Sequence, residues 1–343
     1  MEPSTLLSRP PEEGARRLAL SFLDQAAAAH PRLSQPGESE DSEVLHDFRV
    51  ALRRLRSCLT AYAEPLAGSV PKKLARRLRR LAQATGPGRD TEVQMAWLRG
   101  RSKQLSSAHR AGLAWQLARL GERMHEAYGD LLHEVADEFP GLETRLRQRL
   151  SVYQTEVRLD AGGPHPSLGD LTAAILREQI ADLEGRLARV SSPEDVEEAH
   201  RARISAKRLR YLVEPFTEEI PGAAPLVKSL KGFQDLLGEL HDAHVLEAEL
   251  AAAVEAAAAG RARRLFALAV QETPDAALLR AERRRPHEPG LLALVRQNRA
   301  RRDQLFTRLQ DGWLDGRAGE FLRRLEELAT EMEAPRSSFS NPS

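Results

Sequence analysis

Two segments of this chain carry the same residues suited to gripping an anion. The first is His46-Asp47-Phe48-Arg49-Val50-Ala51-Leu52-Arg53-Arg54-Leu55-Arg56, and the second is His200-Arg201-Ala202-Arg203-Ile204-Ser205-Ala206-Lys207-Arg208-Leu209-Arg210. Both read His-x-x-Arg-x-x-x-Arg/Lys-Arg-Leu-Arg, and the copies lie 154 positions apart in 343 residues. On a helix of 3.6 residues per turn, positions i, i+3, i+7 and i+10 fall within roughly 80° of one another. His46, Arg49, Arg53 and Arg56 therefore share one face, as do His200, Arg203, Lys207 and Arg210. A solvated face normally mixes signs, because like charges one turn apart repel; Asp and Glu are absent from both stripes. Arginine offers forked donors to an oxyanion and lysine a point charge. Histidine offers one donor when neutral and two when charged. The pattern implies a polyanion site shared between two similar halves.

The elements that must position these stripes are helices. Beside the cationic stripe runs an apolar one: Phe48, Leu52, Leu55, Leu59 and Tyr62 in the first copy, and Ala202, Ala206, Leu209, Val213 and Phe216 in the second. Apolar residues recur at three- and four-residue intervals almost throughout and alternating patterns are missing, so the chain reads as all-α. Helices are expected near 12–29, 41–64, 70–85, 90–106, 108–138 and 140–158. A second set is expected near 168–190, 194–219, 223–237, 242–258, 261–272, 290–311 and 317–332. The run Asp160-Ala-Gly-Gly-Pro-His-Pro166 is the best boundary between the halves. The division is thus 12–160 and 167–332, with 333–343 a disordered tail and Pro31–Ser39 a flexible loop.

The duplication continues past the opening helices. Lys72, Lys73, Arg76, Arg79 and Arg80 precede Thr85-Gly86-Pro87-Gly88-Arg89-Asp90; Lys228 and Lys231 precede Leu237-Gly238-Glu239-Leu240-His241-Asp242. Aligned on Arg89-Asp90 and His241-Asp242, Arg76 matches Lys228, Arg79 matches Lys231, and Gly86 and Gly238 match as helix-ending residues. Asp90 and Asp242 then fall near helix starts, where capping is favoured over chemistry.

Composition narrows the partner. With 51 Lys+Arg against 50 Asp+Glu the net charge is +1, so the cations matter by their clustering, which suits a defined anionic ligand. Aromatic residues make up 5% and none tracks the basic helices, against a single-stranded nucleic acid that needs stacking platforms. The lone Cys58 excludes an internal disulfide and reads as a core residue in a reducing compartment. No apolar run is long enough for a membrane and no signal-peptide core is visible, so a cytoplasmic, soluble protein is expected.

The His-x-x-Arg helices, the Gly-x-x-Arg89-Asp90 turn and their repeats resemble the CHAD (conserved histidine α-helical domain) family over about residues 12 to 330. The resemblance implies two pseudo-symmetric helical bundles that face each other across a basic cleft and bind inorganic polyphosphate without catalysis. Granule targeting, storage and regulation of another enzyme are all open as consequences. The triphosphate-handling CYTH domain that often accompanies CHAD is absent from this sequence. His46, Arg49, Arg53, Arg56, His200, Arg203, Lys207 and Arg210 would be the central ligands, with Arg54, Arg208, Arg76, Arg79, Lys228 and Lys231 extending the track. Arg89 and His241 would stand at the paired turns, and His241 in place of arginine would leave one charge dependent on pH. No cofactor, metal or catalytic residue is assigned, and the oligomeric state is open.

Three other readings compete. A metal-dependent phosphohydrolase could use His46-Asp47 or His241-Asp242-x-His244, since His at i and i+3 can share a metal. However, His46 and Asp47 point about 100° apart on a helix, the second copy has Arg201 in place of Asp47, and crowding arginines repel a cation. A phosphate-backbone module for double-stranded nucleic acid shares much of the same pattern, and a scaffold docking an acidic protein is the third. His30, His109, His125, His133, His165 and His287 lack repeat partners, and Trp97, Trp115 and Trp313 read as packing residues.

Overall fold

Helical periodicity is borne out throughout the computed structural model, which describes residues 5–34, 42–152, 166–272, 275–284 and 286–333. The described residues contain helices and no strand. In chain order these are α1 (Pro11–Ala29), α2 (Ser42–Ala61), α3 (Lys72–Ala84), α4 (Gly86–Arg101), α5 (Arg110–Ser151), α6 (Leu168–Leu187), α7 (Val196–Val213), α8 (Ala223–Ala269), α9 (Ala276–Arg284), α10 (Glu288–Leu309) and α11 (Arg317–Glu333). The expected boundary at 160–166 and the expected tail at 333–343 lie mostly outside the described residues, and Glu333, assigned to that tail, instead ends α11. Most of the Pro31–Ser39 loop also lies outside the described residues; it begins as a 3-10 turn over His30–Ser34.

Several boundaries differ from the sequence reading. α8 runs unbroken where three helices were expected, and Gly238 sits inside it. Its buried stripe of Leu226, Leu230, Phe233, Leu237, Leu240, Ala243, Leu246 and Leu250 never loses register, so one glycine does not stop it. α5 likewise passes through Pro140, held by Leu131, Val135, Phe139, Leu142 and Leu146 on its buried side. Asp90 and Asp242 do not cap helices: the N-cap of α4 is Thr85, and Asp242 lies in mid-α8. The short α9 was not anticipated, and all of its residues keep some solvent exposure. In the first half Pro87, near the start of α4, makes the break between α3 and α4.

The helices bury two apolar clusters, and both draw on both parts of the sequence. The larger joins α1, α2, α3 and the C-terminal half of α5 to α6, α7, the first part of α8, the end of α10 and α11. The smaller joins α4 and the N-terminal half of α5 to the later part of α8 and the start of α10. Across the chain's midpoint α1 packs on α6, α2 on α7, α4 on α8 and α5 on α10. Ser167 opens α6 with a reciprocal capping box to Asp170, and the Leu168 amide donates to the Arg9 carbonyl at 2.7 Å.

Where α5 crosses α10 the backbones meet through two glycines. A Cβ on Gly112 would lie under 3.0 Å from the backbone of His287 and Leu291, and one on Gly290 equally close to His109. Gly112→Ala and Gly290→Ala are each expected to destabilise by about 1–3 kcal/mol, because the helices must separate. Gly129 lies in the same α5 with open space around its Cα. Gly129→Ala should instead stabilise by roughly 0.5–1 kcal/mol through helix propensity. Chemical denaturation of the three variants checks this; a common sign would refute the close-packed crossing.

Candidate functional site

The two clusters meet at a seam, and the charged residues collect there. Along α8 the seam falls between Ala243 and Leu246, along α5 between Leu120 and Leu131, and along α10 between Leu294 and Leu305. Asp242, Tyr128 and Arg301 lie at or near these intervals, and Asp90 lies one turn into α4. Asn298 crosses the seam, its Nδ2 donating to the Ala243 carbonyl at 2.7 Å. The basic stripes of α2 and α7 border the same region.

α2 delivers its stripe in graded depth. His46 is exposed, Arg49 buried, and Arg53 and Arg56 half-buried. Burial lowers the pKa of Arg49, with Arg53 adding repulsion; burial likewise lowers that of Arg56, helped by Arg53, Arg79 and Arg208. Although His46 is exposed, partial desolvation, and then Arg53 and Arg89, lower its pKa as well. α7 supplies half-buried His200, Arg203, Lys207 and Arg210. Lys207 is pushed down to about 7, first by burial and then by Arg53, Arg203, Arg56 and Arg210. Thus α2 and α7 bring cations into electrostatic contact although they are far apart in sequence. The buried Nε–H groups of Arg53 and Arg210 have no hydrogen-bond partner, and a buried donor left unpaired costs free energy that an anion would recover.

The other expected ligands divide. Arg56, Arg79, Arg203, Lys207 and Arg208 line one cavity of ≈ 590 Å³ between α1, α2 and α3 on one side and α6 and α7 on the other. Arg54, one position round the helix from Arg53, turns away and pairs with Glu214 at 2.5 Å. Arg89 pairs with Glu92 at 3.0 Å. Arg76, Lys228 and Lys231 are exposed, and among the described residues no hydrogen bond or ion pair joins them to this region.

The histidines of α7 and α8 meet directly. His200 Nδ1 and His241 Nδ1 lie 3.2 Å apart, so one nitrogen holds the hydrogen and the other accepts it. Burial, Arg203, His200 and His244 push His241 down to about 4, and burial followed by Arg203 lowers His200. The expected charge change of His241 near neutral pH is therefore not a property of the free protein. His244 is turned elsewhere, its Nε2 2.9 Å from the Pro193 carbonyl. Among the described residues no group of three His, Cys, Asp or Glu side chains is placed to hold a metal ion.

Several participants carry no site role in the sequence reading, Asp90 and Asp242 being expected there as caps. Asp90 and Asp242 face the arginines and each other: desolvation raises both carboxyls, although Asp90 keeps solvent exposure and Asp242 is half-buried, while Arg203 is the largest influence that lowers them. Tyr128 donates to Glu92 and feels Arg49 and Arg89; its ring fills the space a Cβ on Gly88 would need. Arg301 reaches Asp242 and Glu239 electrostatically and, like Arg101, lies against Trp97, at 5.7 and 5.2 Å respectively. Trp97 also packs against the smaller cluster, and Trp313 packs between Phe233 and Phe321, both as expected. Cys58 is buried and its thiol pushed up to about 12, a packing residue and no nucleophile.

The CHAD domain family model matches residues 17–251, a span that contains both His-x-x-Arg helices and the His241-Asp242 pair. This chain belongs to the CHAD family. No curated protein matches significantly. Among solved structures, the CHAD domain from the plant Ricinus communis is similar in fold, with a TM-score of 0.56 and 20% identity over 96% of this chain and 93% of that one. PptA from Streptomyces chartreusis gives a TM-score of 0.58 and 13% identity over 94% of this chain and 99% of its own. At such identities the two structures speak for the CHAD fold alone. In the CHAD chain, no described helix is long and apolar enough to cross a membrane.

Proposed function

We propose that this CHAD protein binds inorganic polyphosphate without hydrolysing it, in a basic cleft between two repeats formed by residues 12–160 and 167–332. The observation that carries the reading is the meeting of Arg53 and Arg56 with Arg203, Lys207 and Arg210, with Arg53 and Arg210 leaving buried donors unpaired, while Arg49 joins the set by acting with Arg203 and Lys207 on Asp90. Six cations gathered against their own repulsion suit a ligand with a charge on every unit. The pairing of α1 with α6, α2 with α7, α4 with α8 and α5 with α10 supports a pseudo-twofold relation between the repeats. His46 and His200 then add neutral donors at the ends of the stripes, and Arg79 and Arg208 extend the track along the cavity. Arg54, held by Glu214, is a weaker member of the set.

The test is competition between long-chain polyphosphate and duplex DNA at fixed ionic strength. Polyphosphate should win, and its log affinity should fall against log salt with a slope of about −4, as expected for six phosphate contacts on a single flexible polyanion. DNA displacing polyphosphate would favour the nucleic-acid module instead. Pure protein should release no orthophosphate from polyphosphate with Mg²⁺ or Mn²⁺; release would overturn the non-enzymatic reading. In the cell this function places the protein in the cytoplasm and at polyphosphate granules, which a fluorescent fusion in cells with and without polyphosphate would check.

A further inference from the structure

The cavity beside the basic stripes is more apolar than polyphosphate requires. Arg56, Arg79, Arg203, Lys207 and Arg208 supply its cationic side, but Phe22, Ile175, Ile204 and Tyr211 are also part of its lining. Phe22, Ile175 and Ile204 retain partial exposure, so part of this apolar wall is open to solvent. A chain of phosphates gains nothing from such surface, and covering it needs an organic body attached to the anion. The volume of ≈ 590 Å³ falls in the range of small-molecule sites.

The polar groups within the apolar wall narrow the class further. Gln179 lines the cavity, and its Oε1 is buried with no hydrogen-bond partner; Gln83, Ser57 and Thr60 line it as well. A hydrocarbon tail would leave these groups desolvated and unpaired, at a cost for each. A flat heterocycle with N–H donors on its edge would satisfy Gln179 while its faces rest on the apolar side chains. The Tyr211 ring is already held by Arg210, 4.8 Å from its centroid, and Lys207 at 5.9 Å, which joins the apolar wall to the cationic stripe.

We infer that this cavity is a site for a nucleoside oligophosphate, with the base against Phe22, Ile175 and Gln179 and the phosphates on Arg56, Arg79, Arg203 and Lys207. The phosphate end rests on the polyphosphate reading above, because the same cations serve both ligands; the base end stands on the apolar wall alone. Long polyphosphate and the nucleotide would then compete.

Calorimetric titration of the full chain with ATP and with tripolyphosphate, without divalent ions and at fixed ionic strength, tests this. Tripolyphosphate carries at least as much charge as ATP, so charge alone predicts no preference for the nucleotide. ATP is expected to bind at least tenfold more tightly. Gln179→Leu and Phe22→Ser should each remove most of that advantage while leaving tripolyphosphate and long-chain polyphosphate affinity within twofold. ATP binding no tighter than tripolyphosphate would overturn the assignment, as would a prenyl diphosphate that outcompetes ATP. ATP bound tightly by a protein indifferent to polyphosphate would leave the cavity assignment standing and remove the proposed function.

Discussion

Replacing Arg49 and Arg203 together with Ala is expected to lower polyphosphate affinity by roughly two to four orders of magnitude. Each is one turn on from the histidine that opens its stripe; Arg49 is buried and Arg203 half-buried. A hydrogen bond to a charged group contributes about 1.5–3 kcal/mol, and two such losses give the stated range at about 1.4 kcal/mol per factor of ten. Arg203 also faces Asp90 and Asp242, so its removal leaves the charge of two carboxylates less offset where the phosphates arrive. The comparison is Arg317→Ala with Arg323→Ala: Arg317 is exposed on α11, and Arg323 pairs with Glu327 at 2.6 Å. That pair should change affinity by no more than about threefold, the weight of distant surface charge. Equal losses for both pairs, measured by titration at one salt concentration, would show that diffuse charge alone is at work.

The second large effect is a pH dependence carried by Lys207. In the free protein its pKa is pushed down to about 7, so at pH 8 most of the population is neutral there. A bound polyanion favours the ammonium, and binding above pH 7 must therefore take up a proton. The sign follows: affinity should fall as pH rises above about 7, by up to tenfold per unit while one proton is taken up, and this contribution should flatten below pH 7. Lys207→Arg keeps its charge and should abolish this slope with affinity largely retained. Lys207→Met should abolish it and weaken binding at pH 6 by about tenfold or more.

The same lysine opposes folding. Its folded pKa lies below the unfolded value of 10.5, so the penalty is fully present below pH 7 and is relieved as pH rises toward 10.5. Lys207→Met should therefore raise the thermal midpoint of the free protein at pH 6, an instance of stability given up for binding. Calorimetry in two buffers of different ionisation heat counts the protons; no uptake at pH 8 would refute this account. His46, His200 and His241 all titrate below their usual range in the free protein. Their part lies on the acidic side of neutrality, and the sequence alone points to them where the fold points to Lys207.

Local pattern by itself determined the all-α class, the two His-x-x-Arg helices, and the face of each that carries Arg49, Arg53 and Arg56 or Arg203, Lys207 and Arg210. Those properties depend on residues within a few turns of one another, and helical geometry converts spacing into direction. The unbroken α8 is also legible, since its apolar stripe runs straight past Gly238, and a single glycine costs a helix less than that stripe gains. What only the tertiary structure decided depends on residues far apart in sequence. Arg54 shares the motif, yet it is drawn to Glu214, 160 positions away. Asp90 and Asp242 looked like caps and instead face each other and the arginines, because α4 and α8 meet where the two apolar clusters leave a seam. Lys207 owes its lowered pKa to Arg53 and Arg56 on another helix as well as to its own neighbours Arg203 and Arg210. Coulomb interactions and desolvation act through space, and only the packed chain sets those distances.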